Sequence, residues 1–123
     1  MILFLKAFLT LLTYDLAIRL GGFKTVYSMV RKWKIAQKQT DQALIDRVCR
    51  AVDYACVCYP KRALCLQRCF ATTFLLRKEG IPAEMVLGAQ KLPFKAHAWV
   101  EVCGRAVNER SNVQSRYAVW DRC

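Results

Sequence analysis

The chain has 123 residues and a mass of 14.2 kDa, which is the size of one domain. Hydrophobic residues make up 55% and charged residues 24%, so the composition excludes a disordered chain and favours a packed core. Lysine and arginine exceed aspartate and glutamate by 20 to 9, and the net charge is +11. This charge favours an acidic partner, nucleic acid or an anionic membrane surface, and does not choose among them.

The cysteines and the start of the chain indicate a cellular compartment. The start lacks the basic lead and the small-residue cleavage site of a secretory signal, so we expect a cytoplasmic protein with reduced thiols. There is no C-x-x-C pair and only one histidine, His97, and we therefore expect no metal and no cofactor. The cysteines are Cys49, Cys56, Cys58, Cys65, Cys69, Cys103 and Cys123.

The first twenty residues are the one candidate for membrane contact. Lys6, Asp15 and Arg19 interrupt their apolar run, so we do not expect a spanning helix. The pattern instead predicts a helix that docks on its own domain or on a partner protein. A peripheral contact of residues 1–20 with a membrane interface is the alternative, because the apolar arc is wide and its neighbourhood is basic. Gly21-Gly22 is expected to end this helix.

Three more helices are predicted before the chain changes character. The second covers residues 23–37. The third covers residues 41–58, with Thr40 or Asp41 as its N-cap, and a Tyr-Pro pair ends it. The fourth covers residues 64–79, and the Gly-Ile-Pro sequence after it is a strong stop signal.

Beyond the fourth helix the apolar period changes from helical to that of strands. Residues 83–87 predict a strand that ends at the following glycine, residues 96–102 a second strand, and residues 105–109 a return strand. The second strand alternates, with His97 and Trp99 on one face and alanines and valines on the other. Helices followed by a small antiparallel sheet predict an α+β fold.

Cys65 is the candidate nucleophile, because it stands at the predicted start of the fourth helix. A thiol there is close to the positive end of the helix dipole and to free N–H groups, with Lys61 and Arg62 near it in sequence, so its pKa is expected to fall. The backbone N–H of Cys65 is also a candidate donor to an oxyanion. The other six cysteines are expected to be small buried side chains.

His97 is the candidate general acid and base, because imidazole titrates near neutrality. A third group must orient its ring. A two-residue turn at Cys103-Gly104 needs a left-handed cysteine, so a three-residue loop is predicted, which places His97 opposite Glu109. In the other register Asn108 is the orienting residue. Trp99 is interpreted as a packing residue next to the site.

Residue types alone do not separate catalysis from structure here. A free cysteine is often a buried small side chain, and a single histidine on a strand is more often structural than catalytic. Glu101, which follows on the same strand face as His97, is interpreted as a solvated strand residue.

The stretch CLQRCFATTFLLRKEGIPAEMVLGAQKLPFKAHAWVEVCGRAVNE resembles the transglutaminase-like protease domain of lasso-peptide biosynthesis, found in the B-type leader peptidases. The resemblance covers Leu64 to about Val113. Its most specific parts are Cys65-Leu66 with Arg68, the run from Leu75 to Ala83, Pro93-Phe94, the run from Ala96 to Glu101, Gly104 and Val107-Asn108.

The resemblance implies a transglutaminase-like, papain-like cysteine protease core. We expect this core over residues 41–123 and a helical docking segment over residues 1–40, in one compact unit. The family's Cys-His-acid triad is carried over as Cys65, His97 and Glu109, and glutamate stands where the family usually has aspartate.

The resemblance also implies a substrate and partners. It predicts the split form, which lacks a fused leader-recognition domain. The substrate is then a ribosomally made lasso precursor, a separate recognition protein holds its leader, and a macrolactam synthetase takes the freed core amine.

Two other functional classes stay open. A transglutaminase-like acyl-transferase or amidase uses the same triad, and a non-enzymatic basic module binds a membrane or nucleic acid without a reactive thiol. No helix-turn-helix or zinc-finger pattern is present, so we do not expect nucleic acid as a partner.

Overall fold

The computed structural model of the protein describes residues 2–32, 41–60, 65–90, 94–108 and 117–123. Helices precede an antiparallel sheet with strand order β3-β2-β1-β4, which confirms the predicted α+β fold. The elements are α1 (Ile2–Lys32), α2 (Gln42–Cys58), α3 (Cys65–Lys78), β1 (Ala83–Gln90), β2 (Lys95–Val102), β3 (Arg105–Ala106) and β4 (Ala118–Arg122).

α1 is interrupted at Gly22, which has φ 72° and ψ −169°. Glycine reaches this positive φ without the steric cost that a Cβ imposes. The predicted break at Gly21-Gly22 is therefore present, and the helix resumes after it as far as Lys32. The rest of the helix predicted over residues 23–37 lies outside the described residues.

The inner face of α1 packs against α2 and α3. Ala7 and Leu11 on this face are fully buried before the break, and Val26 and Val30 after it. In the part of the chain that the structure describes, no helix combines the length and the apolar character that crossing a membrane requires.

Local chemistry sets the ends of α2 and α3. Asp41 caps α2, and its Oδ1 accepts hydrogen bonds from the N–H groups of Ala43 at 3.1 Å and Leu44 at 3.3 Å, which confirms one of the two predicted caps. The alternative cap, Thr40, lies outside the described residues. α3 ends in the Schellman arrangement, in which Gly80 has φ 83°.

β1 is longer than predicted, because it continues through Gly88 to Gln90 instead of ending at the glycine. A Cβ on Gly88 would lie 2.8 Å from Cη2 of Trp99, which is closer than such atoms approach. Gly88 therefore allows the large ring on β2 to lie across its neighbouring strand.

The predicted turn between β2 and β3 is wrong. Val102 pairs with Arg105, so the turn has two residues, and both Cys103 (φ 52°) and Gly104 (φ 80°) are left-handed. The left-handed conformation of Cys103 costs about 1–2 kcal/mol. The turn is still formed, because a two-residue turn with both residues left-handed has a twist that matches that of β2 and β3. The register that was to place Glu109 opposite His97 is thus not the one observed.

β4 was not predicted from the sequence. It pairs with the free edge of β1, with a bulge between Leu87 and Gly88. The sheet consequently has two distinct faces. Ala98 and Val100 face the helices in the main core, whereas Trp99 packs with Val86 in a second cluster on the outer face, which confirms the predicted alternation of β2.

Candidate active site

A cavity of about 360 Å³ lies where α1, the start of α3 and the sheet meet. Its walls are mainly aliphatic and aromatic, and Cys65 and His97 both line it. The lining residues are Phe23, Tyr27, Cys65, Leu66, Leu87, Ala96, His97, Ala98, Trp120 and Asp121.

Cys65 is the first residue of α3 and is partly buried. Its backbone N–H is one of the first four in the helix, which have no acceptor within the helix, and the positive end of the helix dipole is at the same position. Both features favour negative charge on an oxygen bound next to the thiol. Lys61 and Arg62, the predicted neighbours of the thiol, lie outside the described residues.

The other cysteines are less uniform than predicted. Cys69 and Cys123 are buried and Cys49 and Cys56 partly so, but Cys58 and Cys103 are exposed, which corrects the expectation for these two. All seven cysteines are free thiols.

Tyr14 of α1 is a neighbour of Cys65 that the sequence analysis missed. Burial raises the pKa of its hydroxyl, and the negative charges of Asp15 and of a Cys65 thiolate raise the pKa further. The ring packs edge-on against Phe70 of α3, with 5.4 Å between the centroids. Tyr14 thus keeps a protonated hydroxyl within electrostatic range of the candidate nucleophile.

His97 lies on β2 with its ring among aromatic neighbours. Its centroid is 5.3 Å from that of Tyr117 and 6.2 Å from that of Trp99. The residues on either side of it, Ala96 and Ala98, have small side chains and also line the cavity.

A buried polar network holds Trp99, the predicted packing residue. The indole N–H donates to Glu101 at 2.8 Å, and the Arg122 guanidinium donates to the other oxygen of the same carboxylate at 2.6 Å. Glu101 is 2% exposed, so its interpretation as a solvated strand residue is wrong. The carboxylate is buried because two donors satisfy it, and it fixes the ring that stacks on His97.

Asn108, the alternative orienting residue, makes two side-chain hydrogen bonds. Its Oδ1 accepts from the backbone N–H of Val100 at 2.9 Å, and its amide donates to Sγ of Cys69 at 3.4 Å. The Asn108 carbonyl accepts from Arg68 at 2.6 Å. These bonds connect the segment after β3 to β2 and α3. Glu109, the predicted acid of the triad, lies outside the described residues.

Asp121 is an acidic residue of the cavity wall that the sequence analysis also missed, because β4 was not predicted. The Tyr27 hydroxyl donates to its carboxylate, and Arg31 donates to the same oxygen at 2.7 Å. The alternation of strand-forming residues from Tyr117 to Trp120 was the signal that could have indicated the strand.

A curated relative is similar to part of this chain. The chain is 34% identical over 55 residues to the microcin J25-processing protein McjB of Escherichia coli. The match includes 45% of this chain and 26% of that protein, so the chain spans about a quarter of the relative's length. No solved structure matches the chain significantly.

The family model covers much more of the molecule. The model described as the transglutaminase-like superfamily matches residues 10–121. This span crosses the boundary predicted at residue 40, and the division into a docking segment and a core stays a prediction. The match extends from α1 to β4 and contains every described residue that lines the cavity. The chain belongs to the transglutaminase-like superfamily.

Proposed function

We propose that this protein is a cysteine protease that cuts the leader peptide from a ribosomally made lasso precursor. One observation carries the chemistry, namely that Cys65 at the start of α3 and His97 on β2 line the same cavity. The substrate rests on the sequence resemblance and on the relative whose name describes it as a microcin J25-processing protein.

The first step is acylation of the thiol. The Cys65 thiolate attacks the carbonyl carbon of the scissile peptide bond, and the backbone N–H of Cys65 donates to the resulting oxyanion. The carbon–nitrogen bond then breaks, and the His97 imidazolium gives its proton to the departing amine. The products of this step are the free amino terminus of the core and a leader held as a thioester.

The second step is hydrolysis of the thioester. His97 takes a proton from water, the hydroxide adds to the thioester carbon, and the carbon–sulfur bond breaks. The leader leaves as a carboxylic acid, which releases the second proton of the water to solvent, and thiolate and imidazolium are restored. Glu109 is proposed as the orienting acid from the family's triad alone, because the register that was to place it opposite His97 is not observed. The side chain of Asn108, the alternative, bonds to the Val100 N–H and to Sγ of Cys69.

The proposal includes two partners. A separate leader-recognition protein presents the precursor, and a macrolactam synthetase closes the ring on the core amine that cleavage releases. The net charge of +11 favours a leader or a recognition protein with an acidic surface.

The test is incubation of the full chain with a lasso precursor, with and without a leader-recognition protein, followed by mass spectrometry. We expect two fragments whose masses sum to that of the precursor plus one water. Cys65→Ala and His97→Ala should each lower the rate at least about a thousandfold, because they remove nucleophile and base. The matched control Cys58→Ala removes an exposed thiol on α2 and should cut at the normal rate.

Other products decide between the classes. A deamidated or crosslinked product that depends on Cys65 would identify an amidase or acyl-transferase instead. Cleavage that persists in Cys65→Ala would remove the catalytic assignment altogether.

A further inference from the structure

One side of α1 is apolar and has no partner among the residues that the structure describes. Six aliphatic side chains follow one another at steps of three and four residues on the side that faces away from α2 and α3, and they are between 44% and 80% exposed. Exposed apolar surface of this extent on a soluble domain marks a site of contact. We call it the leucine face, and it consists of Ile2, Leu5, Leu9, Leu12, Leu16 and Leu20.

The polar side chains near this face have features suited to an apolar environment. The Thr10 hydroxyl donates to the carbonyl of Lys6 at 2.7 Å, and the Thr13 hydroxyl donates to the carbonyl of Leu9 at 2.9 Å. Hydroxyls bonded to their own helix do not need water as a partner. The border of the leucine face therefore loses little hydrogen bonding when water is removed.

Two of the three charges next to the leucine face are positive, and the third, Asp15, lines a surface pocket with Leu12, Leu16 and Arg19. Lys6 and Arg19 are both exposed, on the two sides of the row, and α1 has a single acidic residue, Asp15. The Asp15 carboxylate accepts a hydrogen bond from the Tyr59 hydroxyl, so it is directed towards the end of α2. The contact surface thus presents aliphatic side chains between two cations.

This charge pattern selects the kind of surface that covers the leucine face. Two copies of the chain, each with a net charge of +11, would bring like charges together along the contact. An anionic surface with an apolar layer beneath it complements both features at once. A phospholipid bilayer with anionic headgroups has this structure, with phosphates above the acyl chains.

We infer that the leucine face binds peripherally to an anionic phospholipid bilayer. α1 lies parallel to the bilayer plane over residues 2–20, a length of about 28 Å. The aliphatic side chains enter the boundary between headgroups and acyl chains, and Lys6 and Arg19 contact the phosphates.

The position of the cavity follows from this orientation. Phe23 is the first residue after the break at Gly22, is exposed, and lines the cavity of Cys65. Trp120 lines the same cavity and is 63% exposed. Because aromatic side chains favour the level of the headgroups, the cavity opens next to the bilayer.

The test is sedimentation of the full chain with phosphatidylcholine vesicles that contain or lack phosphatidylglycerol. We expect binding that requires phosphatidylglycerol and weakens with salt. The double variant Leu9→Glu/Leu16→Glu should lower the partition coefficient at least about tenfold. Lys6→Gln and Arg19→Gln should each lower it about fivefold.

The matched control separates the leucine face from net charge. Tyr54→Glu/Val57→Glu adds the same two charges at exposed apolar positions of α2 and should bind like the unchanged chain. Far-UV circular dichroism checks that each variant is folded, and the Lys6 and Arg19 variants test the same face without any change to its apolar residues. Absence of vesicle binding, equal binding of the Leu9/Leu16 variant, or a dimer in light scattering that this variant dissociates would each overturn the inference.

Discussion

The two ends of α3 differ in how their polar groups are satisfied. At the first end, Cys65 adjoins a cavity and its amide has no acceptor within the helix. At the last end, the Gly80 N–H donates to the Arg77 carbonyl and the Ile81 N–H to the Leu76 carbonyl, both at 3.0 Å. The first end of α3 thus adjoins the cavity of the proposed chemistry, whereas backbone hydrogen bonds satisfy the last end, where the sheet begins.

Arg77 connects the last end of α3 to other elements through the core. Its guanidinium is buried and donates to the carbonyls of Ala83 at 3.0 Å, Val30 at 2.6 Å and Cys123 at 3.0 Å. One side chain therefore connects α3 to α1, to the start of β1 and to the residue after β4. The last end of α3 is therefore held by the core, while Cys65 at its first end lines the cavity.

The largest expected effect comes from removing the Arg77 hydrogen bonds at the last end of α3. Arg77→Met leaves three carbonyls without their donor, so we expect it to lower the free energy of unfolding by about 3 kcal/mol. Urea denaturation followed by circular dichroism measures this loss. The neighbour Lys78 is exposed, and Lys78→Met is the matched control, with an expected change within about 0.5 kcal/mol. Equal losses in the two variants would show that the guanidinium bonds do not stabilise the fold.

The same contrast explains which structural features could be predicted from the sequence. The cap at Asp41 and the stop at Gly80 depend on a few adjacent residues, and both predictions were correct. The two-residue turn was rejected because a left-handed Cys103 is unfavourable locally, but pairing of whole strands outweighs that cost.

The site shows a similar division. Cys65 and His97 were predicted from residue type, position and the family resemblance, and the structure places both on the wall of one cavity, while their catalytic roles stay a prediction. Burial of Glu101 depends on Arg122, which lies 21 residues further along the chain, and Asp121 reaches the cavity through a strand pairing with the far side of β1. Such long-range contacts leave no local periodic signal in a single sequence.

The second prediction tests whether Glu101 positions His97, because its carboxylate holds the Trp99 ring that stacks on His97. Glu101→Gln removes the charge that holds Arg122 and weakens the acceptor of the Trp99 indole. We expect kcat for precursor cleavage to fall about tenfold with KM unchanged, because His97 is positioned less well. Glu84→Gln is the control, since Glu84 only approaches Arg122 at 3.6 Å and is half exposed, and it should leave kcat unchanged. A rise in KM alone would contradict the positioning role.

The smallest expected effect concerns the thiol of Cys49, which is partly buried and hydrogen-bonded. Cys49 donates to the Val107 carbonyl, and burial, together with the charge of Asp53, raises its pKa from 9.0 to about 12. Between these two values the unfolded chain loses the proton and the folded chain keeps it, so this group makes stability fall as pH rises from 9 towards 12.

We expect Cys49→Ala to lower stability by roughly 1 kcal/mol at neutral pH and to make the alkaline decline shallower. Urea denaturation across this pH range measures the decline. Cys58→Ala, which removes an exposed thiol from the same helix, should keep the original slope. Identical slopes for Cys49→Ala and the unchanged chain would mean that Cys49 ionises as readily in the folded protein as in the unfolded one.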